Sequence, residues 1–253
     1  METIKQKKDA DLGNAPIGRL LLNLALPAIV AQVINVLYNM VDRMYIGHID
    51  QVGPDALTGV GVTMPIIMCI SAFAALVSMG GAPQASILMG KGKPEEAEKI
   101  LGNCTSMLLM IALALTVLFL GFGRPILLMF GASEQTIPYA WAYMQIYVCG
   151  TVFVQMALGL NAFINAQGFA RIGMMTVAIG AVCNIILDPV FIFGLHMGVR
   201  GAALATVISQ GVSCIWILRF LTGKKTLLKI RRQNLRLERR FTGPCLALGL
   251  APF

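Results

Sequence analysis

Residues 20–45 read LLLNLALPAIVAQVINVLYNMVDRMY. The run is long enough to cross a bilayer, which takes about 20 apolar residues in a helix. It nevertheless carries Asn35, Tyr38, Asn39 and Asp42 at spacings of three and four, so these side chains share one helical face. A carboxylate at membrane depth costs about 2.5 to 3.5 kcal/mol on insertion scales, and chains that keep one use it for an ion, a proton or a substrate. A second such residue, Asp188, stands in the apolar stretch 170–194. This pair governs how the rest of the chain is read.

The composition leaves one class open. Of the 253 residues, 57% are hydrophobic and only 13% are charged, and the mean hydropathy is +0.76. A soluble domain averages about 25% charged residues, so this chain has too few to cover a water-facing surface. No short alternating segments of a membrane β-barrel are visible, and the 26 glycines suit close helix packing. The first apolar stretch is too long and too polar in places for a cleaved signal peptide. The expectation is an all-α, polytopic membrane protein.

Helices are predicted at 17–46, 55–86, 97–122, 138–167, 170–194 and 199–221, with Pro27 giving the first a broken character. Short connections make neighbours antiparallel. Residues 1–16 form a tail and 17–221 a six-helix transmembrane lobe. Residues 222–244 form a basic linker lying along anionic lipid, and 245–253 read as the start of a seventh helix. The net charge of +8 is not a nucleic-acid signature. All of the 20 Lys and Arg except Arg43, Arg124 and Arg200 fall in the tail, in alternate loops or in the run after Trp216. That is the positive-inside pattern, and it places the N-terminus in the cytoplasm.

Four predicted helices carry polar faces at helical spacing. They are Asn35, Tyr38, Asn39 and Asp42; Asn161 and Asn165; Asn184 and Asp188; and Thr206, Ser209, Gln210 and Ser213. Turned to lipid these groups would be costly, so they are expected to face one another around a cavity. Two carboxylates in a low-dielectric bundle hold a proton more tightly than in water and can exchange it near neutral pH. Carboxylate, amide and hydroxyl oxygens together also make a hard-cation site suited to sodium. Three structural readings compete. The amides and hydroxyls can act as interhelical glue, Asp42 can pair with Arg43 near a helix end, and Asp188 can serve a bend at Pro189.

Other chemistry is not indicated. The six cysteines (Cys69, Cys104, Cys149, Cys183, Cys214 and Cys245) are scattered and form no CxxC. His48 and His196 have no partner at metal spacing. No phosphate-binding loop, nucleophile elbow or zinc-protease motif occurs. No enzyme activity, cofactor or resident metal is expected, only a sodium ion or a proton as coupling ion.

Four segments resemble one known family. Asn35-Val-Leu-Tyr38-Asn39-Met-Val-Asp42-Arg-Met-Tyr-Ile-Gly47 is similar to helix 1 of the multidrug and toxic compound extrusion (MATE) transporters. Asn161-Ala-Phe-Ile-Asn165-Ala-Gln167-Gly168 resembles the end of their helix 4, and Asn184-Ile-Ile-Leu-Asp188-Pro189-Val-Phe-Ile-Phe-Gly194 their helix 5. Gly198-Val-Arg-Gly201-Ala-Ala-Leu-Ala-Thr206 resembles the start of their helix 6.

The resemblance implies a twelve-helix antiporter of two lobes in a prokaryotic plasma (inner) membrane, exporting small cationic organic compounds in exchange for sodium ions or protons. It implies an ion-coupling site at Asp42, Asn184, Asp188 and Thr206, which is also where sodium would sit. Substrate contacts are implied at Asn35, Tyr38, Asn161 and Gln210. The second lobe of the family has no counterpart in these residues, so the chain is expected to be a fragment that does not transport alone. Two alternatives stay open: a lipid-linked saccharide flippase or exporter of the same superfamily, and an intramembrane aspartyl protease. The latter uses two membrane aspartates, but its Tyr-Asp and Gly-x-Gly-Asp flanks are not found at Val41-Asp42 or Leu187-Asp188-Pro189.

Overall fold

The computed structural model describes residues 17–50 and 52–250. The expected tail 1–16 and the last residues of the expected seventh helix, 251–253, lie outside them. Nine α-helices are described. They are α1 (Ile17–Gly47), α2 (Gly53–Val62), α3 (Met64–Gly90), α4 (Pro94–Met129), α5 (Ile137–Cys149), α6 (Thr151–Ala166), α7 (Ala170–Pro189), α8 (Val199–Leu221) and α9 (Arg239–Leu250). A π-helical turn at Val190–Gly194 extends α7, and a 3₁₀ turn at Arg232–Leu235 precedes α9.

Five stretches are single spans by length and hydropathy, and α5 with α6 makes a sixth if the bent pair crosses as one. Large apolar side chains face outward as they would toward lipid: Leu22 on α1 is 67% exposed and Leu113 on α4 is 68% exposed. The chain is therefore a multi-pass membrane protein. Inside, two apolar clusters stack along the bundle. One, with Leu101, Phe163 and Ile217, lies toward the end that carries the basic loops. The other, with Ile46, Met144 and Ile192, lies toward the opposite end.

Two of the expected single helices are jointed. The second span breaks at Thr63, because Pro65 has no amide hydrogen to close on Gly61. The Thr63 hydroxyl takes up the Val60 carbonyl at 2.7 Å. The fourth span, expected unbroken over 138–167, bends by 58° at Gly150. A Cβ there would run into the Val207 side chain, and the Val148 carbonyl freed by the bend accepts the Thr116 hydroxyl at 3.1 Å. Pro27, by contrast, leaves α1 helical throughout.

The segment after α8 is a fixed strap across the basic end. Gln167 Oε1 accepts from the Thr226 hydroxyl at 2.8 Å and from the amides of Leu227 and Leu228 at 2.8 and 2.9 Å. Glu98 accepts the Lys229 amide at 3.1 Å and pairs with Arg231 Nε at 2.7 Å. Ser106 donates to the Leu235 carbonyl at 2.5 Å, and Asn103 accepts the Glu238 amide at 2.7 Å. That last bond sets the start of the next helix. Helix α9 begins at Arg239, before the expected Cys245, with Phe241 already buried.

Helix α9 lies backbone to backbone on α3. A side chain at Gly80 would strike the Cys245 carbonyl, and one at Gly249 the Leu76 carbonyl. The Cys245 thiol stands 4.0 Å from that of Cys104. Small residues are what permit such close crossings in lipid. Gly249→Leu should drive α9 away from α3, with a loss of about 1–3 kcal/mol or more for overpacking. A lower melting temperature in detergent and faster maleimide labelling of Cys245, now fully buried, would be the readout.

Candidate functional site

The site grows from the i, i+4 pair on α7. Asn184 Nδ2 donates to Asp188 Oδ1 at 3.2 Å and reaches Thr206 Oγ1 on α8 at 3.5 Å. Thr206 in turn donates to the Ala202 carbonyl at 3.0 Å, which fixes its rotamer. Asp42 comes from α1 and brings its carboxyl next to that of Asp188. All three acidic and amide side chains are buried, Asp42 at 8% exposure, Asn184 at 1% and Asp188 at 0%. Asp42, Asn184, Asp188 and Thr206 therefore form one cluster drawn from three helices.

Its bonding is incomplete. Asp42 Oδ1, Asp188 Oδ2 and Asn184 Oδ1 are buried without a partner among the described residues. Two bare carboxylates are both acceptors and cannot bond each other, so their apposition needs a proton or a cation between them. The pairing of Asp42 with Arg43 is not adopted: Arg43 is exposed and makes no ion pair among the described residues. Asp188 does precede a change of helix geometry at Pro189 and Val190, but its carboxyl is committed to the cluster.

Asn35, Tyr38, Asn161 and Gln210 line a cavity of about 60 Å³ together with Asn184 and Thr206. Such a volume holds about four waters. Asn161 Nδ2 donates to the Gly173 carbonyl at 3.4 Å, while its Oδ1 and the Ser209 hydroxyl remain unpartnered. No Lys, Arg or His lines the cavity among the described residues. Asn39 turns back to the Asn35 carbonyl at 2.7 Å and acts as local glue. Asn165 lies outside the lining, exposed toward the basic end.

Tyr143 on α5 escaped the sequence reading. It is 4% exposed, neighbours Thr206 and stacks on Tyr147 with ring centroids 6.0 Å apart. The spacing Tyr139, Tyr143, Tyr147 was the available signal. Ser213 and Thr176 close the far end of the cavity through a bond of 3.1 Å.

A family model described as MatE matches residues 27–190, a range that contains Asp42, Asn184 and Asp188. The chain belongs to the MatE family. Among curated relatives, the multidrug export protein MepA of Staphylococcus haemolyticus is 27% identical over 94% of this MatE chain and 52% of its own length. An FAD transporter of Shewanella oneidensis is 29% identical over 78% of this chain and 44% of its own length. A crystal structure of MATE in a bent conformation superposes with a TM-score of 0.84 at 26% identity, covering 92% of this chain and 52% of that one. The chain thus spans about half the length of the relatives it matches.

The cluster geometry separates two substitutions. Asp188→Leu strands the Asn184 amide and should cost about 1–3 kcal/mol, whereas Asp188→Asn keeps a hydrogen-bonding group and should stay within about 1 kcal/mol of the parent. Thermal unfolding of the detergent-solubilised chain measures both.

Proposed function

We propose that this MatE chain is the ion-handling lobe of a secondary antiporter that exports small cationic organic compounds in exchange for sodium ions or protons. The observation that carries the reading is the apposition of two buried carboxyls, one oxygen of each, like the neighbouring Asn184 Oδ1, having no partner among the described residues. Asp42 and Asp188 would supply charge, and the side-chain oxygens of Asn184 and Thr206, which stand beside Asp188, are neutral ligands of the kind a hard cation takes. A proton shared between the carboxyls satisfies the same geometry. Either ion changes the charge of the adjoining cavity by one, which weakens the hold on a cationic cargo.

Asn35, Tyr38, Asn161 and Gln210 are the proposed cargo contacts on this lobe. The cavity here, about 60 Å³, is far below the roughly 300–1,000 Å³ of drug-sized sites. A second wall is needed, and the half-length match to the relatives supports a second lobe as that wall. The positive-inside distribution supports a cytoplasmic N-terminus and strap, and the bacterial relatives support a prokaryotic inner membrane as their setting.

The FAD transporter among the relatives raises an anionic cargo as the second reading. The cavity lining favours the first. It offers amide and hydroxyl groups beside an acidic pair, with no basic side chain among the described residues to hold phosphates.

The test is drug accumulation in efflux-deficient bacteria that carry this lobe within a two-lobed transporter. Asp42→Asn and Asp188→Asn should each reduce efflux by at least tenfold while membrane abundance holds. Efflux unchanged in both variants would remove the coupling role. A sodium-dependent rise in melting temperature that is lost in Asp188→Asn selects sodium; its absence in the parent selects the proton.

A further inference from the structure

We propose that the strap between α8 and α9 is a built binding surface for anionic phospholipid headgroups. It rests on the membrane-spanning architecture and is independent of the transport reading. Residues 222–240 carry eight basic side chains against one acid, Glu238. The strap is not a loose basic run. The side chains that hold it, Gln167, Glu98, Asn103 and Ser106, are neutral or acidic and grip mainly its backbone. Among the described residues, Arg231 is the one cation of the strap held in an ion pair. Thr226, Leu228 and Asn234 turn inward and are buried, while Lys224, Lys225, Arg232 and Arg236 are exposed. None of those four cations is bonded to another described residue. A backbone clamped from below thus presents fixed positive charges outward.

Its depth matches the headgroup layer. Helix α4 has 36 residues and is about 54 Å long, well beyond the roughly 30 Å of hydrocarbon. The continuous apolar part of α4 begins at Met107. The strap crosses α4 at Asn103 and Ser106, immediately outside that boundary. Both ends of the strap are tied to apolar helices, α8 at Leu221 and α9 at Arg239, so it cannot lift away from the surface. Leu227, 58% exposed, and Leu237, 39% exposed, stand among the cations. They provide apolar contact for the glycerol region beneath the phosphates. Charges held within a Debye length of about 8 Å from the lipid phosphates act with little screening.

The experiment follows thermal unfolding of the whole chain in neutral detergent with added phosphatidylglycerol or phosphatidylcholine. Phosphatidylglycerol should raise the midpoint by about 5 °C more than phosphatidylcholine. The variant Lys224→Gln, Lys225→Gln, Arg232→Gln, Arg236→Gln should lose that difference while keeping its midpoint in phosphatidylcholine. Equal rises with both lipids overturn the proposal, as does a full difference in the variant. The same rise with soluble glycerol phosphate would reassign the surface to free phosphate. If the variant does not fold, the parent decides: 0.5 M salt should erase the difference, and a salt-resistant difference overturns the proposal.

Discussion

Hydrocarbon offers no hydrogen bonds, so every polar group in this bundle has to find its partner within the protein. That constraint organises the molecule. Serines and threonines fold back on their own helices, as Thr105 does on the Leu101 carbonyl at 2.8 Å. Gln155, fully buried, crosses from α6 to the Ile70 carbonyl at 2.8 Å. Against this background the cluster of Asp42, Asn184 and Asp188 is distinct, because it gathers two buried carboxyls and leaves one oxygen of each without a partner among the described residues. On the proposed reading, such a site is complete only when a cation or proton is present and so responds to that ion. A fully satisfied network would not.

Much of this was legible in the residues. Asn184 and Asp188 are four apart in an apolar run, and helical periodicity puts them on one face whatever surrounds them. Asp42 and Thr206 have to point inward for the same energetic reason, and the structure brings both to the α7 pair. The number of spans followed from length and hydropathy, but not all their limits: α4 runs from Pro94 to Met129, beyond the expected 97–122. Tyr143 was missed because an aromatic in an apolar helix carries no period-independent mark of its neighbours, and its link to Thr206 is tertiary. The strap was missed because it depends on single side chains far away in sequence, Gln167 and Glu98, finding backbone amides of residues 227–229. The early start of α9 followed from the same kind of contact, at Asn103.

The strap and α9 order the basic end of the bundle. Helix α9 is held by the glycine crossing with α3, and the chain leading to it is held by polar hooks from α4 and the α6–α7 turn. The direction in which the polypeptide leaves the six-span bundle is therefore set by the bundle itself.

The bend at Gly150 has a genetic side. It leaves the Val148 carbonyl open in mid-bundle, and a single hydroxyl, that of Thr116 on another helix, closes it. Neither position makes sense alone. A straight helix would have no use for Thr116, and a bent one without it strands an acceptor where no water can reach. Substitutions at the two sites should therefore be strongly non-additive. Among descendants of this fold the bend and the hydroxyl are expected to be inherited, or lost, together.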